Sequence, residues 1–299
     1  MKLQNYKPVI LVTGCSSGIG LALAHLLWKI EKYRVVITAR ESSLSRFKNE
    51  PFHENDRFWM RPLDVKVGEQ RQRLFTEINN KWGGVDILVN NAGISYRAVV
   101  EHMDEVDELT QLRTNYLAPM AMIRLALPYM REKGRGKIIN VSSVSGMLAM
   151  PTMSSYSASK FALEGASESL WYEMKPLGIN VTLIQPGFIH SNSFKNVYYT
   201  EKSKTAEETE QEYSDYYKNM VPFIEKMMKK SKTRPEDVAQ KILGVIQREN
   251  PPLRIPATID AIIFYYLRRL TPRFIFHRVL YNSLPQARNW AKSYSKKRT

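Results

Sequence analysis

The sequence predicts a doubly wound α/β fold, a parallel sheet with helices on both faces, on three observations. Short apolar, β-branched runs recur along the first two-thirds of the chain: "PVILVT", "RVVITA", "VDILVNN", "GKIINVSS" and "INVTLIQP". Between them apolar residues fall three and four apart, as in helices that cover a sheet. The first run closes on a glycine cluster, "TGCSSGIG", that leads into the helical run "LALAHLLWKI". Strands buried on both faces read as continuous apolar runs, and helical crossovers join them.

Composition bounds the rest. At 299 residues and 43% hydrophobic the chain can bury a substantial core. Cys15 is the one cysteine, so no internal disulfide forms and a reducing, cytoplasmic setting is expected. The N-terminus passes from a short polar lead into the first strand, with no signal-peptide pattern expected. The five histidines are scattered, without the spacing of a metal site, and no metal is expected. The longest uncharged run, between Lys137 and Lys160, is serine-rich and broken by Gly146 and Pro151, so it does not read as a membrane span. The formal charge is +15, but ten basic residues and one acid between Pro251 and Thr299 supply +9 of it. The charge therefore belongs to a tail, and no recognition motif for nucleic acid accompanies it.

The first loop is built for a phosphate. Gly14, Gly18 and Gly20 allow a tight turn, close approach of backbone to a pyrophosphate and packing of helix on sheet, while the helix N-terminus offers free N–H groups. The spacing is G-x3-G-x-G. The second strand ends in Ala39 and Arg40 where an NAD site would place an acid. An arginine there favours a 2′-phosphate, hence NADP(H) over NAD(H), with Glu41 as a charge that must point away.

The segment "SSVSGMLAMPTMSSYSASK" holds Ser143 near its start and Tyr156 and Lys160 near its end. Tyr156 and Lys160 are four apart and share a helix face. Ser143, at the end of the preceding strand, folds back over the tyrosine if the connection turns at Gly146 and Pro151.

With these residues in order, the chain resembles the short-chain dehydrogenase/reductase family, and its carbonyl-reductase, steroid- and retinol-dehydrogenase-like members in particular. The matching set is Thr13 to Gly20, Asp64-Val65, "NNAG" at 90 to 93, Asn115, Ser143, Tyr156, Lys160 and "PGFIHS" at 186 to 191. The resemblance runs from about residue 8 to 190 and implies a Rossmann-like fold. It implies cofactor contacts at Gly14, Ser16, Ser17, Gly18, Ile19, Gly20 and Arg40, adenine contacts at Asp64 and Val65, and further contacts at Asn91, Ala92, Gly93, Tyr156, Lys160, Pro186, Gly187 and Ile189. It also implies a catalytic set of Asn115, Ser143, Tyr156 and Lys160, with Asn115 holding a water that relays protons to Lys160, and a dimer or tetramer formed through the helices carrying Asn115 and Tyr156. Ser191 stands where the family often has threonine.

The chemistry follows from the residues. Hydride transfer between a nicotinamide and a carbonyl carbon needs a group that gives the oxygen a proton or takes it away. A free tyrosine titrates near 10, too high for an efficient base at neutral pH. Lowering it by about three units needs about 4 kcal/mol. One ammonium about 4 Å away at an effective dielectric of about 20 supplies that much. Lys160 is thus expected to draw Tyr156 down, while Ser143 bonds the substrate oxygen.

Residues 1–256 read as one dinucleotide-binding and catalytic domain. Within it, 188–232 is polar, tyrosine-rich and helical in pattern, and reads as a substrate lid or a solvated insertion. Met147, Met150 and Met153 suit a broad apolar pocket or the core, and a lipophilic, steroid-, retinoid- or acyl-like carbonyl or alcohol is the expected substrate. Residues 257–299 form a basic, aromatic-rich extension that suits a membrane surface, packing on the domain, or an oligomer contact. The rival to an enzyme is a catalytically silent NADP(H)-sensing protein, against which the full set of four residues argues. A sugar-nucleotide epimerase or dehydratase shares Tyr-x3-Lys but has a different glycine spacing.

Overall fold

The computed structural model describes residues 6–191, 197–208 and 213–290. Its strands are β1 (Val9–Val12), β2 (Arg34–Ala39), β3 (Phe58–Pro62), β4 (Ile87–Asn90), β5 (Gly136–Val141), β6 (Ile179–Gln185) and β7 (Arg254–Pro256). They form one seven-stranded sheet in the order β3-β2-β1-β4-β5-β6-β7, with parallel neighbours throughout. This is the doubly wound fold the sequence predicts. β3 and β7 are the strands the quoted apolar runs do not announce: β3 reads FWMRP and β7 is three residues long and ends in proline, and their pairing on β2 and β6 defines them.

Alternation along the strands sorts side chains to two cores. Ile10 and Val12 of β1 face one side, where α1 (Gly18–Trp28) and α8 (Pro235–Gln247) cover them. Val9 and Leu11 face the other, under α2 (Gly68–Trp82), α4 (Ala118–Glu132) and α5 (Ser154–Met174). Between α2 and α4 lies α3 (Glu105–Leu112), which enters α4 through a π-helical turn, Arg113–Leu117.

Parallel strands point their carboxyl ends the same way, and the order reverses between β1 and β4. That reversal opens a crevice at the carboxyl edge of the sheet, the place where such folds bind ligands. Over the far part of this edge lie α6 (Glu201–Glu208) and α7 (Ser214–Lys230), then α9 (Ile259–Leu270) and α10 (Arg273–Ser283). No helix among the described residues is long and apolar enough to cross a membrane.

Candidate active site

The nucleotide half of the crevice is held by one buried hydroxyl. Thr13, just past β1, accepts from the backbone N–H groups of Asn91 and Ala92, both at 3.0 Å, and so joins the glycine loop to the turn after β4. Asn91 reciprocates: its amide donates to the carbonyls of Thr13 at 2.9 Å and Gly14 at 3.0 Å. Two glycines are demanded by this packing. Gly14 has φ +72°, and a Cβ there would stand 2.7 Å from the Ala92 Cα; a Cβ on Gly20 would stand 2.3 Å from the Gly14 carbonyl oxygen. Ser16 is half-buried. Ser17 is exposed at the N-cap of α1, where its side chain caps nothing and no acid occupies the first turn. The N-terminus of α1 thus keeps its N–H groups for an outside anion. Gly18 is open to solvent, and Ile19 leans into the core beside Ile189.

Three further predicted contacts lie along the same edge. Arg40 is exposed at the end of β2, and its side chain makes no ion pair among the described residues. Glu41 begins the next short helix, also exposed. At the end of β3 the Asp64 carboxylate accepts from the Lys66 N–H at 2.9 Å, while the Asp64 N–H donates to Gln70 at 2.7 Å; Val65 is buried in the second core. Leu63 N donates to the Ala39 carbonyl at 2.7 Å, so the ends of β2 and β3 are tied side by side. A dinucleotide fits this edge: a cradle too tight for side chains at Gly14 and Gly20, a free helix N-terminus, and a basic side chain at the neighbouring strand end.

The chemical half centres on α5. Ser143 follows β5 and caps a single helical turn, Val144–Gly146, its Oγ accepting from the Ser145 N–H at 3.1 Å. Val144 N donates to the Pro186 carbonyl at 2.7 Å, linking this turn to the loop after β6. The Lys160 ammonium donates to the Val141 carbonyl at 2.9 Å and lies 5.8 Å from the centroid of the Tyr156 ring. A Cβ on Gly93 would sit 3.3 Å from the Asn115 Oδ1 and 3.8 Å from the Lys160 Nζ, so these three residues meet at one point. Asn115 lies in the π-helical turn, a feature common at functional sites. Its side chain accepts from Ile94 N at 2.9 Å and donates to Ile94 O at 2.9 Å and to Ser159 Oγ at 3.0 Å. The amide is fully engaged in holding the segment after Gly93.

Electrostatics here depart from the sequence-based expectation. Burial pushes the Tyr156 phenol above its ordinary value, and its hydrogen bond with Ser143 works the other way. Burial also pushes the Lys160 ammonium down, to about 8, against the opposing pull of Glu164. The lowering of Tyr156 expected from Lys160 does not emerge: desolvation is the larger influence on both groups, opposed by Ser143 at the phenol and by Glu164 at the ammonium. Cys15 is buried, and burial pushes its thiol up to about 12, so it is no nucleophile.

Several contributors escape sequence reasoning. Glu164, 6% exposed, sits one turn beyond Lys160; it accepts from Gln185 Nε2 at 2.9 Å and from Arg254 Nε at 3.0 Å. Only the i,i+4 spacing to Lys160 hinted at it. Thr258 and Asp260 accept from the backbone N–H groups of Gly187 and Phe188, each at 2.9 Å. They are about seventy residues from their partners, and no local pattern marks them. Pro186 is buried, and Gly187 and Ile189 are half-buried around that contact.

The surroundings are apolar. Met147 and Met150 pack with Val144, Leu148, Phe264, Leu267 and Phe276, against α9 and α10. Met153 joins Phe188, Met220, Ile224 and Trp290, beneath α7.

Known proteins match this arrangement. The family model for short chain dehydrogenases matches residues 8–202. A 3-ketodihydrosphingosine reductase of Bacteroides thetaiotaomicron is 34% identical over 248 residues, which cover 82% of this chain and 86% of that protein. The crystal structure of a short-chain dehydrogenase from Streptomyces avermitilis has a TM-score of 0.74 at 29% identity, covering 98% of this chain and 100% of that one. The closed form of a serine dehydrogenase complexed with NADP+ has a TM-score of 0.65 at 25% identity, covering 83% and 92%. With the family model matched over residues 8–202 and a relative 34% identical across 82% of the chain, the conclusion is that the chain belongs to the short-chain dehydrogenase/reductase family and is an oxidoreductase acting on CH–OH groups.

Proposed function

We propose that the chain is an NADP(H)-dependent oxidoreductase that interconverts a lipophilic carbonyl compound and its alcohol, with Tyr156 carrying the proton. The observation that carries this reading is the gathering of Ser143, Tyr156, Lys160, Asn115 and Gly93 at the carboxyl ends of β4 and β5. Gly14, Ser16, Ser17, Gly18, Ile19 and Gly20 would hold the pyrophosphate, Arg40 a 2′-phosphate, and Asp64 and Val65 the adenine. Asn91, Ala92, Gly93, Pro186, Gly187 and Ile189 would hold the nicotinamide end. When bound, the dinucleotide supplies or accepts the hydride. The exposed Arg40 supports NADP(H), as does the NADP+ bound by the serine dehydrogenase of similar fold.

Ser143 donates to the substrate oxygen and holds it beside Tyr156. The phenol, kept protonated at neutral pH by burial, gives that oxygen its proton in the reducing direction. The Lys160 ammonium, anchored on the Val141 carbonyl, then offsets the phenolate charge. Asn115 fixes Ile94 and with it the wall beside Gly93. Of the expected lid, 188–232, residues 192–196 and 209–212 lie outside the described residues; the rest acts as the lid, and the methionines with Phe188 and Trp290 make an apolar wall suited to a lipophilic chain. Tyr156→Phe tests the reading. It should keep NADPH binding, followed by fluorescence, and lose turnover by about 10²–10⁴. Native turnover in that variant removes Tyr156 from the mechanism. NADPH binding with no turnover on any carbonyl of a diverse library would instead favour the silent, cofactor-sensing reading.

The extension of residues 257–299 is read as a membrane-surface element. α9 presents Ile259, Ile263, Tyr266 and Leu270 at helical spacing, Leu270 79% exposed, and Phe274 at the start of α10 is 76% exposed, with Arg269 and Arg278 also exposed. Flotation with anionic vesicles should carry the protein, and Leu270→Asp with Phe274→Asp should abolish it. A homo-oligomer through α4 and α5 is supported by exposed Leu117 and Tyr172 and is tested by light scattering.

A further inference from the structure

The residues after Gly93 form a short extended strip clamped along both edges. On one edge Tyr198 N donates to the Ser95 carbonyl and Arg97 N to the Tyr198 carbonyl, both at 2.8 Å. On the other, Ala98 N donates to the Thr152 carbonyl at 2.9 Å, pairing the strip with the residues just before Tyr156. Successive side chains of such a strip alternate between faces. Tyr96 and Ala98 take one face; Ser95, Arg97 and Val99 take the other. Val99 packs with Ala206 and Tyr217, so this second face lies beneath α6 and α7.

Arg97 is 3% exposed, and its Nε has no partner. Its guanidinium makes no hydrogen bond or ion pair among the described residues. Arg61 is paired with Glu54 and Glu77, and Arg254 with Glu164 and Glu168, while Arg57, with one Nη also unpaired, still donates the other to the Trp28 carbonyl. A buried guanidinium without a counter-charge is costly, and unpaired buried polar groups in a folded chain call for a cause. Two hydroxyls beside it are also buried and unpaired: Ser95 Oγ on the same strip and Thr152 Oγ1 on the segment paired with it. Thr152 is held at φ +63°, a conformation that threonine pays to adopt. One cation and two hydroxyls thus lie unsatisfied on the strip and on the segment paired with it, which leads into Tyr156.

We infer that Arg97 anchors a paired anionic oxygen group on the substrate, a carboxylate or a phosphate, with Ser95 and Thr152 taking its remaining lone pairs. A planar guanidinium offers two parallel N–H bonds to such a group. This rests on the oxidoreductase reading above and narrows its substrate to an amphiphile: an apolar chain against the methionine wall, a carbonyl at Tyr156, and a negative end under the lid. The same site disfavours an amine at that end.

The test uses the full chain and a matched C12 set: a keto acid, its methyl ester, the phosphate monoester of the corresponding hydroxyketone, and an aminoketone. KM for the acid or the phosphate should lie about ten- to hundredfold below that of the ester, with the aminoketone weakest; the better of the two anions names the head group. Arg97→Leu should raise the KM of the anionic substrate to that of the ester while leaving the ester's kcat and KM unchanged, and Arg97→Lys should fall between. Laurate should raise the melting temperature of the wild type more than methyl laurate does, a readout that needs neither turnover nor a variant. Equal KM values for acid, phosphate and ester, with equal melting shifts, overturn the inference. A selective laurate shift without reduction of any ketone would keep the Arg97 site and sink the oxidoreductase reading instead.

Discussion

Replacing Glu164 by glutamine removes one negative charge from behind Lys160 and keeps the shape of the side chain. The two residues are one helical turn apart, where side chains stand about 5–6 Å from each other. At that separation and an effective dielectric of about 20, a unit charge contributes about 3 kcal/mol, or about two pH units, to an ammonium. The Arg254 guanidinium, 3.0 Å from the same carboxylate, already cancels part of this field. A displacement of about one to two pH units is therefore expected. The sign is fixed: burial has brought Lys160 down to about 8, Glu164 opposes that, and its loss lowers the ammonium further. Activity that needs the charged lysine is present below its pKa and lost above it, so the basic limb of kcat/KM for carbonyl reduction moves to lower pH. Glu164→Asp should return most of the limb. Removing one partner of a buried pair also costs about 3 kcal/mol, the low end of the usual range, because Glu168 still faces Arg254. A melting temperature that falls while the basic limb stays in place would refute the electrostatic argument and leave Glu164 a purely structural residue.

Other outcomes follow from equally local geometry. Gly14→Ala forces a side chain into the left-handed region and against the Ala92 Cα; NADPH should bind at least about tenfold more weakly, by a strain of about 1–2 kcal/mol or more, and unchanged affinity by fluorescence titration would contradict the cradle. Asp260→Ala leaves Phe188 N without its acceptor, worth about 1.5–3 kcal/mol, and should speed hydrogen exchange at that amide; unaltered protection would show that the contact holds nothing. Cys15, its thiol pushed up to about 12, should resist alkylation at about pH 8 in the native protein and react once denatured; labelling of the folded chain would disprove its burial.

What the sequence made legible is what local periodicity encodes. The runs ending at Val12, Ala39, Asn90, Val141 and Gln185 are apolar and β-branched over four to seven residues, and they appear as strands. The glycine cluster and the Tyr156-to-Lys160 spacing are likewise local. β7 was hidden because a three-residue strand ending in proline has no period to read. Glu164, Arg254 and Gln185 come from three elements, and only the pairing of β7 on β6 unites them. The protonation of Tyr156 departs from the spacing-based expectation for a different reason. Spacing reports which charges are close, whereas the dominant effect is the removal of water from both, a property of the assembled site. Arg97 reads in sequence as one more surface arginine; its burial is the product of two edges contributed by Tyr198 and Thr152.

The loop after β6 shows how far the substrate end depends on distant chain. Gly187 in "PGFIHS" is a cofactor contact by the family resemblance, and close approach of backbone to such a group is one reason for a glycine. The structure supplies a second and independent reason, since a Cβ at that position would stand 1.9 Å from the Asp260 carboxylate oxygen. Asp260 in turn accepts from Phe188 N, and Thr258, the N-cap of α9, accepts both from Ala261 N within its own helix and from Gly187 N. The start of α9 is thus registered on the loop by two side chains and one missing one. From that fixed point α9 and α10 run over Met147 and Met150, and Trp290 beyond them reaches Met220 and Ile224 of α7. A displacement of α9 would therefore carry the loop after β6 and the apolar wall with it, through packed contacts.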